Sequence, residues 1–224
     1  MSQTTKEPQY QFLLEMEERK GLMKLGLMSS QVWRDDPKRL VFLLSRYKFV
    51  AKMFAGMNRV LEVGCADAFG TRIVQKEVKE LVATDFDPVF VNFVNDHQDN
   101  ESPLTCKVHD MLAGPLGSDF DGVYCLDVIE HILQRDEDRF VANMAASLNS
   151  YGSCIIGTPS SESQQHASPP SKQGHVNCKT ASELKFLLAR HFHNVFIFSM
   201  NDEVVHTGFY PMAHYLFALC CAKQ

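Results

Sequence analysis

The sequence predicts an α/β fold: a doubly wound, mostly parallel sheet of about seven strands whose last strand is antiparallel, preceded by a helical annex. Short apolar segments of strand length alternate with helix-length segments from residue 59 onward. The last two apolar segments, residues 195–200 and 213–222, are joined by a polar loop, which predicts the antiparallel strand. We place the annex at residues 1–55 and the α/β domain at residues 56–224.

Two helices are predicted in the annex. Residues 11–25 carry apolar side chains at helical spacing, and Asp36-Pro37 starts a second helix that runs to about Phe54. Strands of the α/β domain are predicted near residues 59–63, 80–84, 104–108, 120–126 and 152–158, before the terminal pair. Helices between them are predicted near residues 69–78, 88–96, 134–148 and 180–191.

A Ser/Gln/Pro-rich segment, Ser160 to Ser171, follows the fifth predicted strand. Open α/β sheets bind their ligands beyond the carboxyl ends of the strands. The segment is therefore either a mobile substrate lid or a plain surface loop.

Composition favours a globular protein of the cytoplasm. The 224 residues, of which 45% are hydrophobic, suffice for one full core. A formal charge of −5 gives no general attraction to nucleic acid or to anionic lipid. Seven scattered cysteines without a Cys-x-x-Cys pair favour buried thiols in a reducing compartment over disulfides or structural zinc. The polar N-terminus predicts no secretory signal, and the longest apolar run, residues 215–222, is too short for a membrane span.

A small-residue loop after the first predicted strand indicates a site for a nucleotide-like cofactor. Residues 64–68 read Gly-Cys-Ala-Asp-Ala, so few side chains keep a ligand away from the main chain. The helix that should follow from Phe69 offers its first amides to polar groups of the ligand. Asp85 ends the second strand about 20 positions after the loop, where a carboxylate accepts hydrogen bonds from ribose hydroxyls.

This segment resembles motif I of class I S-adenosylmethionine-dependent methyltransferases, an acidic residue followed by Gly-x-Gly-x-Gly. Glu62 and Gly64 match that motif, while Ala66 and Ala68 stand at positions where glycine is usual. Alanine is comfortable only at negative φ, so we expect a stiffer loop and a tighter approach of the cofactor.

The resemblance implies a Rossmann-like fold and S-adenosylmethionine as cofactor. It places Asp110 and Met111 at the end of the third strand, near the adenine, and Leu126 at the end of the fourth. Arg46, on the second annex helix, either reaches the methionine carboxylate of the cofactor or lies on a solvated helix face. The implied cofactor-binding residues are Glu62, Gly64, Cys65, Ala66, Asp67, Asp85, Phe86, Asp110, Met111, Leu126 and Arg46.

Three acidic or basic residues follow the fourth strand in the pattern Asp127-x-x-Glu130-His131. A helical turn there would put all three on one face, and His175 lies in a later loop that can reach the same face. The pattern resembles that of small-RNA 3′-end 2′-O-methyltransferases and ubiquinone-pathway O-methyltransferases, which carry Glu-x-x-Glu-His and a divalent metal. This chain departs at Asp127, whose side chain is one methylene shorter than glutamate.

Two mechanisms are consistent with this cluster. The residues Asp127, Glu130, His131 and His175 could hold Mg²⁺, Mn²⁺ or Zn²⁺. Alternatively, His131 or His175 is a general base and Glu130 orients the imidazole, which makes these three the predicted catalytic residues. The resemblance thus predicts methylation of a hydroxyl on a small metabolite.

Two other functions compete with this prediction. An RNA 2′-hydroxyl methyltransferase is disfavoured by the acidic balance and by the lack of a basic arm. A non-catalytic cofactor-binding or scaffolding protein is favoured by the two loop alanines and disfavoured by the Asp-x-x-Glu-His pattern. The residues name neither the acceptor nor the oligomeric state.

Overall fold

One eight-stranded sheet lies at the centre of the computed structural model, which describes residues 4–99 and 101–224. The strand order is β3-β2-β1-β4-β5-β8-β6-β7, with β1 to β5 parallel and β8 antiparallel to both of its neighbours. The strands are β1 Arg59–Val63, β2 Glu80–Asp85, β3 Thr105–Val108, β4 Phe120–Leu126, β5 Leu148–Pro159, β6 Phe192–Asn201, β7 Val204–His206 and β8 Tyr215–Lys223.

Helices cover both faces of the sheet. The α-helices are α1 Gln11–Lys20, α2 Leu27–Asp35, α3 Lys38–Met53, α4 Thr71–Gln75, α5 Pro88–Asp96, α6 Glu137–Ser147, α7 Pro169–Gly174 and α8 Ala181–Leu188. The described residues also form 3₁₀ turns at Pro8–Tyr10, Ile129–His131, Glu162–His166 and Tyr210–Met212. None of the helices in the described ranges is long and apolar enough to span a membrane.

The predicted α/β sheet with an antiparallel last strand is confirmed. The additional strand is β7, three residues long, which lies in the polar segment that joins the two terminal apolar strands. Because β1 to β5 run parallel, their carboxyl ends meet at one edge of the sheet. The predicted site residues that follow these strands lie along that edge.

The annex differs from the sequence-based expectation. The first helix ends at Lys20 instead of residue 25, because Gly21 adopts a φ of +71° and its amide caps the helix on the Glu17 carbonyl. A separate helix, α2, then begins after Gly26, in a stretch for which no helix of its own was predicted.

Helix α3 packs into the core although it belongs to the predicted annex. Its residues Val50 and Ala51, and Phe54 directly after it, are almost completely buried and lie in one cluster with the strand residues Val60 and Tyr124. Burial of each large apolar side chain contributes roughly 1.5–3 kcal/mol. The other face of the sheet packs on buried residues of α6 and α8, namely Phe140, Val141, Met144, Leu184 and Leu188.

The Ser/Gln/Pro-rich segment has defined structure. It contains the 3₁₀ turn Glu162–His166 and the start of α7, whose first turn is capped by the Ser168 hydroxyl accepting from the Ser171 amide. Ser160 anchors the segment beside β8, because its amide donates to the His214 carbonyl and its hydroxyl to the Ala213 carbonyl. The segment is therefore attached next to the carboxyl end of β5. Its role as a substrate lid stays a prediction.

Candidate active site

The loop after β1 depends on Gly64. This residue has a φ of +78°, and a Cβ placed on it would lie 2.5 Å from Cγ2 of Val128, which follows β4. Both the backbone conformation and the close contact therefore require glycine. The amides of Gly64 and Cys65 donate to the Thr84 carbonyl, which holds the loop against β2.

Ala66 and Ala68 adopt the left-handed conformation that glycine would adopt, with φ of +46° and +53°. Left-handed backbone costs a residue with a Cβ roughly 1–2 kcal/mol. The loop therefore keeps a glycine-like shape and stores strain at both alanines.

Asp85 joins this loop to the end of β2. Its Oδ2 accepts from the Ala66 amide at 2.9 Å, and its Oδ1 accepts from the Asp87 amide at 2.9 Å. The carboxylate is nearly buried, and each oxygen retains acceptor capacity for a further donor such as a ribose hydroxyl. The next residue, Phe86, presents an exposed ring beside it.

Glu62 is buried in β1, beneath the loop. Burial raises the pKa of its carboxyl to about 7, and the neighbouring hydroxyls of Thr71, Tyr124 and Tyr47 offset part of the rise. These hydroxyls come from α4, β4 and α3, so the carboxyl connects three elements around the loop.

Asp67 contacts the annex. Its carboxylate accepts from the Ser29 amide at 2.7 Å and from the Ser29 hydroxyl at 3.1 Å, and so caps the first turn of α2. Cys65 points away from the loop into the core, where its sulfur lies 3.8 Å from that of Cys106. Any ligand contact of Cys65 is therefore through its backbone.

The remaining predicted cofactor residues lie at the ends of β3 and β4. Asp110 is exposed and accepts from the Leu112 amide at 2.8 Å. Met111 and Leu126 are buried and belong to two different clusters of the hydrophobic core. The predicted loop and strand-end residues thus follow strands that end at one edge of the sheet, and their binding of the cofactor stays a prediction.

Arg46 and Asp127 form an ion pair between α3 and the end of β4. Nη1 of Arg46 donates to both carboxylate oxygens, at 2.8 and 2.7 Å, while its guanidinium carbon lies 3.8 Å from the centre of the Tyr215 ring. Asp127 has a φ of +57°, which turns its side chain toward Arg46. Binding of the methionine carboxylate by Arg46 stays a prediction.

Three of the four predicted metal ligands converge. Ligand atoms of Glu130, His131 and His175 all lie within 4.8 Å of one another, the one such group of three or more found in the described ranges. Asp127, the expected fourth ligand, does not belong to this group, which corrects the sequence-based expectation. Its left-handed backbone and its ion pair with Arg46 direct the side chain elsewhere.

Glu130 lies behind the two histidines and has no exposed surface. Burial and the nearby Asp127 raise the pKa of its carboxyl to about 8. Oε2 accepts from the Thr158 hydroxyl at 3.1 Å, whereas Oε1 is buried without a hydrogen-bond partner in the described part of the chain. At neutral pH this group is therefore mainly a protonated acid with one free oxygen.

The two imidazoles are held through the same ring nitrogen, Nδ1. Nδ1 of His131 lies 2.9 Å from the Gly174 carbonyl oxygen, and Nδ1 of His175 lies 2.8 Å from Oε1 of Gln164. Both oxygens only accept, so each Nδ1 carries the hydrogen and each Nε2 keeps its lone pair. Burial and the adjacent His131 ring lower the pKa of His175, which keeps it neutral at pH 7.

Backbone hydrogen bonds fix the Glu130 turn against the chain that follows His175. The Glu130 carbonyl accepts from the amides of Val176 and Asn177, at 2.9 and 3.0 Å. Lys179 is buried and forms a 2.6 Å ion pair with Glu137, at the start of α6. These supporting residues were not predicted, because their roles arise from contacts between segments about 40 positions apart.

Comparisons with known proteins bear on the family and the fold. Residues 61–156 match the family model described as a methyltransferase domain. This part of the chain is therefore similar to methyltransferases, a family whose cofactor is S-adenosylmethionine, and the predicted resemblance to class I enzymes is confirmed. No curated protein matches the sequence.

Solved structures share the fold of this chain. A TehB-like S-adenosylmethionine-dependent methyltransferase from Corynebacterium glutamicum is 16% identical, with a TM-score of 0.64 over 87% of this chain and 96% of that one. The N-methyltransferase NodS from Bradyrhizobium japonicum, in complex with S-adenosyl-L-homocysteine, is 15% identical, with a TM-score of 0.62 over 93% and 97%. An Archaeoglobus fulgidus S-adenosylmethionine-dependent methyltransferase is 15% identical, with a TM-score of 0.63 over 95% and 99%.

Proposed function

We propose that this protein transfers the methyl group of S-adenosylmethionine to a hydroxyl on a small molecule. The observation that supports the proposal is the pair of imidazoles at the end of β4, His131 and His175, each with a free Nε2. A sulfonium methyl group is already activated, so the protein has to align the acceptor and accept its proton. A neutral Nε2 accepts that proton.

The acceptor meets the histidines before it meets Glu130. His131 is exposed and His175 half-buried, whereas Glu130 lies behind them. We therefore assign proton acceptance to one of the two imidazoles. Glu130 acts beside them, because one of its carboxyl oxygens lies within 4.8 Å of a nitrogen of each ring.

A divalent metal fits the same three residues. The two Nε2 atoms and the free Oε1 of Glu130 are a mixed nitrogen and oxygen donor set, and the Nδ1 partners Gly174 and Gln164 orient the rings for it. A bound ion would supply a lowered pKa of the acceptor hydroxyl. Because Glu130 has a pKa of about 8, ion binding at neutral pH would release its proton.

Three further proposals concern the acceptor, the compartment and the annex. The formal charge of −5 supports a small-molecule acceptor over RNA, and the seven free cysteines support a reducing cytoplasm. We also propose that residues 1–55 form an annex that covers the loop of the domain at 56–224. The cap that Asp67 provides for α2 supports this role.

The test is transfer of radioactive methyl from labelled S-adenosylmethionine to a panel of phenols, catechols and alcohols, with total RNA as the comparison. We expect label in the small-molecule fraction. Label in RNA alone, or none in a protein that binds S-adenosylhomocysteine, would contradict the proposal. The same assay after EDTA treatment distinguishes the mechanisms: activity lost and restored by Mg²⁺, Mn²⁺ or Zn²⁺ supports the metal, and full activity supports a histidine base.

A further inference from the structure

We propose that Gln164 is a positioning residue that holds His175 in the tautomer whose Nε2 is free. This inference rests on the proposed function, because a free Nε2 matters only if His175 accepts a proton or binds an ion. The contact that carries it is the 2.8 Å hydrogen bond between Nδ1 of His175 and Oε1 of Gln164. Gln164 was not singled out in the sequence, where it is one of two adjacent glutamines.

The orientation of the Gln164 amide follows from its other contacts. Its nitrogen, Nε2, lies 3.1 Å from the Ser160 carbonyl oxygen and 3.4 Å from the Ser163 hydroxyl. A carbonyl oxygen only accepts, so the amide NH₂ must face Ser160. The amide oxygen then faces His175, and only an Nδ1–H can pair with it.

Ser160 in turn is fixed by the sheet. It is completely buried, its hydroxyl donates to the Ala213 carbonyl at 2.6 Å, and its amide donates to the His214 carbonyl at 3.1 Å. A continuous set of hydrogen bonds therefore runs from the residues directly before β8 through Ser160 and Gln164 to the His175 ring.

The two histidines differ in how their tautomer is set. His131 donates to the backbone carbonyl of Gly174, which no substitution removes. His175 depends on a side chain, so Gln164 is the position where a substitution changes the ring and leaves the fold intact. Without the acceptor oxygen the ring can rotate, and its hydrogen can move to Nε2, which blocks proton acceptance there.

The experiment is a two-bond ¹H–¹⁵N correlation spectrum of the histidine rings, recorded on the protein without cofactor at a pH where the rings are neutral. The His175 signals are identified by their loss in His175→Ala. We expect the wild type to show the hydrogen on Nδ1 of His175. Gln164→Ala should lose the dominance of that form. Gln164→Glu, which retains an acceptor oxygen, should restore it, and the exposed neighbour Gln165→Ala should leave it unchanged.

Two results would overturn the inference. One is a wild-type spectrum with the hydrogen on Nε2 of His175, a result that needs no variant to fold. The other is a Gln164→Ala spectrum that matches Gln165→Ala. Neither result depends on methyl transfer, so failure of the positioning role is distinguishable from failure of the proposed function. A protein with the predicted spectrum but no transferase activity would support the positioning role of Gln164 and contradict the proposed function.

Discussion

The two halves of the site edge are built in different ways. In the first half, at the ends of β1 to β3, each predicted residue lies on or directly after a strand. In the second half, at the ends of β4 and β5, the groups come from α3, the Ile129–His131 turn, β5 and the segment that holds Gln164 and His175. Local sequence specifies the first half, whereas packing of distant segments specifies the second.

Each half contains one buried glutamate, and their surroundings differ. Glu62 lies among the hydroxyls of Thr71, Tyr124 and Tyr47, and burial together with the nearby Asp85 raises the pKa of its carboxyl to about 7. Burial and the nearby Asp127 raise the pKa of the Glu130 carboxyl to about 8. Among the described residues each carboxyl has one oxygen without a hydrogen-bond partner, Oε2 in Glu62 and Oε1 in Glu130. Glu130 differs in its neighbours, because its carboxyl lies beside two imidazoles.

The largest effect is expected from substitutions in the second half of the edge that leave the first half unchanged. Replacing His131 and His175 together by alanine should reduce methyl transfer by about 10²- to 10⁴-fold, because no base or ligand pair remains. Steady-state transfer to the acceptor found in the panel measures this. His166→Ala is the matched control, because His166 lies on the same segment outside the cluster and should leave the rate unchanged. Unchanged turnover in the double variant would remove the cluster from the mechanism.

A pH effect on stability should arise from the first half. The pKa of Glu62 is raised from 4.5 to about 7 on folding, so the folded state binds more protons across that interval. The contribution of Glu62 to the free energy of unfolding is therefore complete below pH 4.5 and is lost as the pH rises to 7. At about 1.36 kcal/mol per pKa unit, this loss of stability is roughly 3 kcal/mol.

Urea unfolding of the wild type and of Glu62→Gln across this pH range measures the difference, and the exposed Glu15→Gln is the control. Parallel pH profiles of wild type and Glu62→Gln would contradict it.

Cofactor affinity should depend on Asp85 more than on the nearby Asp87. Asp85→Asn removes the charge from hydrogen bonds that are worth about 1.5–3 kcal/mol, so S-adenosylhomocysteine should bind roughly 10- to 100-fold more weakly. Asp87→Asn keeps an effective cap on α5 and should bind normally. Calorimetry measures both. Equal affinities in the two variants would show that Asp85 does not contact the ribose.

The smallest expected effect concerns the strained alanines. Ala66→Gly should raise the free energy of unfolding by about 0.5 kcal/mol, because relief of the left-handed strain slightly exceeds the entropy that glycine adds to the unfolded chain. Ala142→Gly, inside α6, should instead lower it by about 1 kcal/mol. Denaturant midpoints report both changes. Destabilisation by Ala66→Gly as large as that of Ala142→Gly would argue against strain in the loop.

The limits of sequence-based prediction follow the same division. Gly64 and Asp85 could be placed because each ends an apolar strand, Asp110 was placed from the family resemblance, and helix and strand order sufficed for the sheet. The separate helix α2 was missed because its first turn is capped by Asp67, a residue 38 positions away from Ser29. Asp127 was assigned to the metal group from its spacing, but its backbone conformation and its pairing with Arg46 depend on the folded chain. Gln164 carries no local signal at all.

The measurement that most directly tests this division is a calorimetric titration of S-adenosylhomocysteine into the wild type and into the variant that lacks both His131 and His175. The account predicts binding of one ligand per chain with the same affinity in both proteins, because the cofactor contacts lie in the first half. Absence of binding to the wild type would contradict the cofactor site. A large loss of affinity in the variant would show that the two halves are not separate.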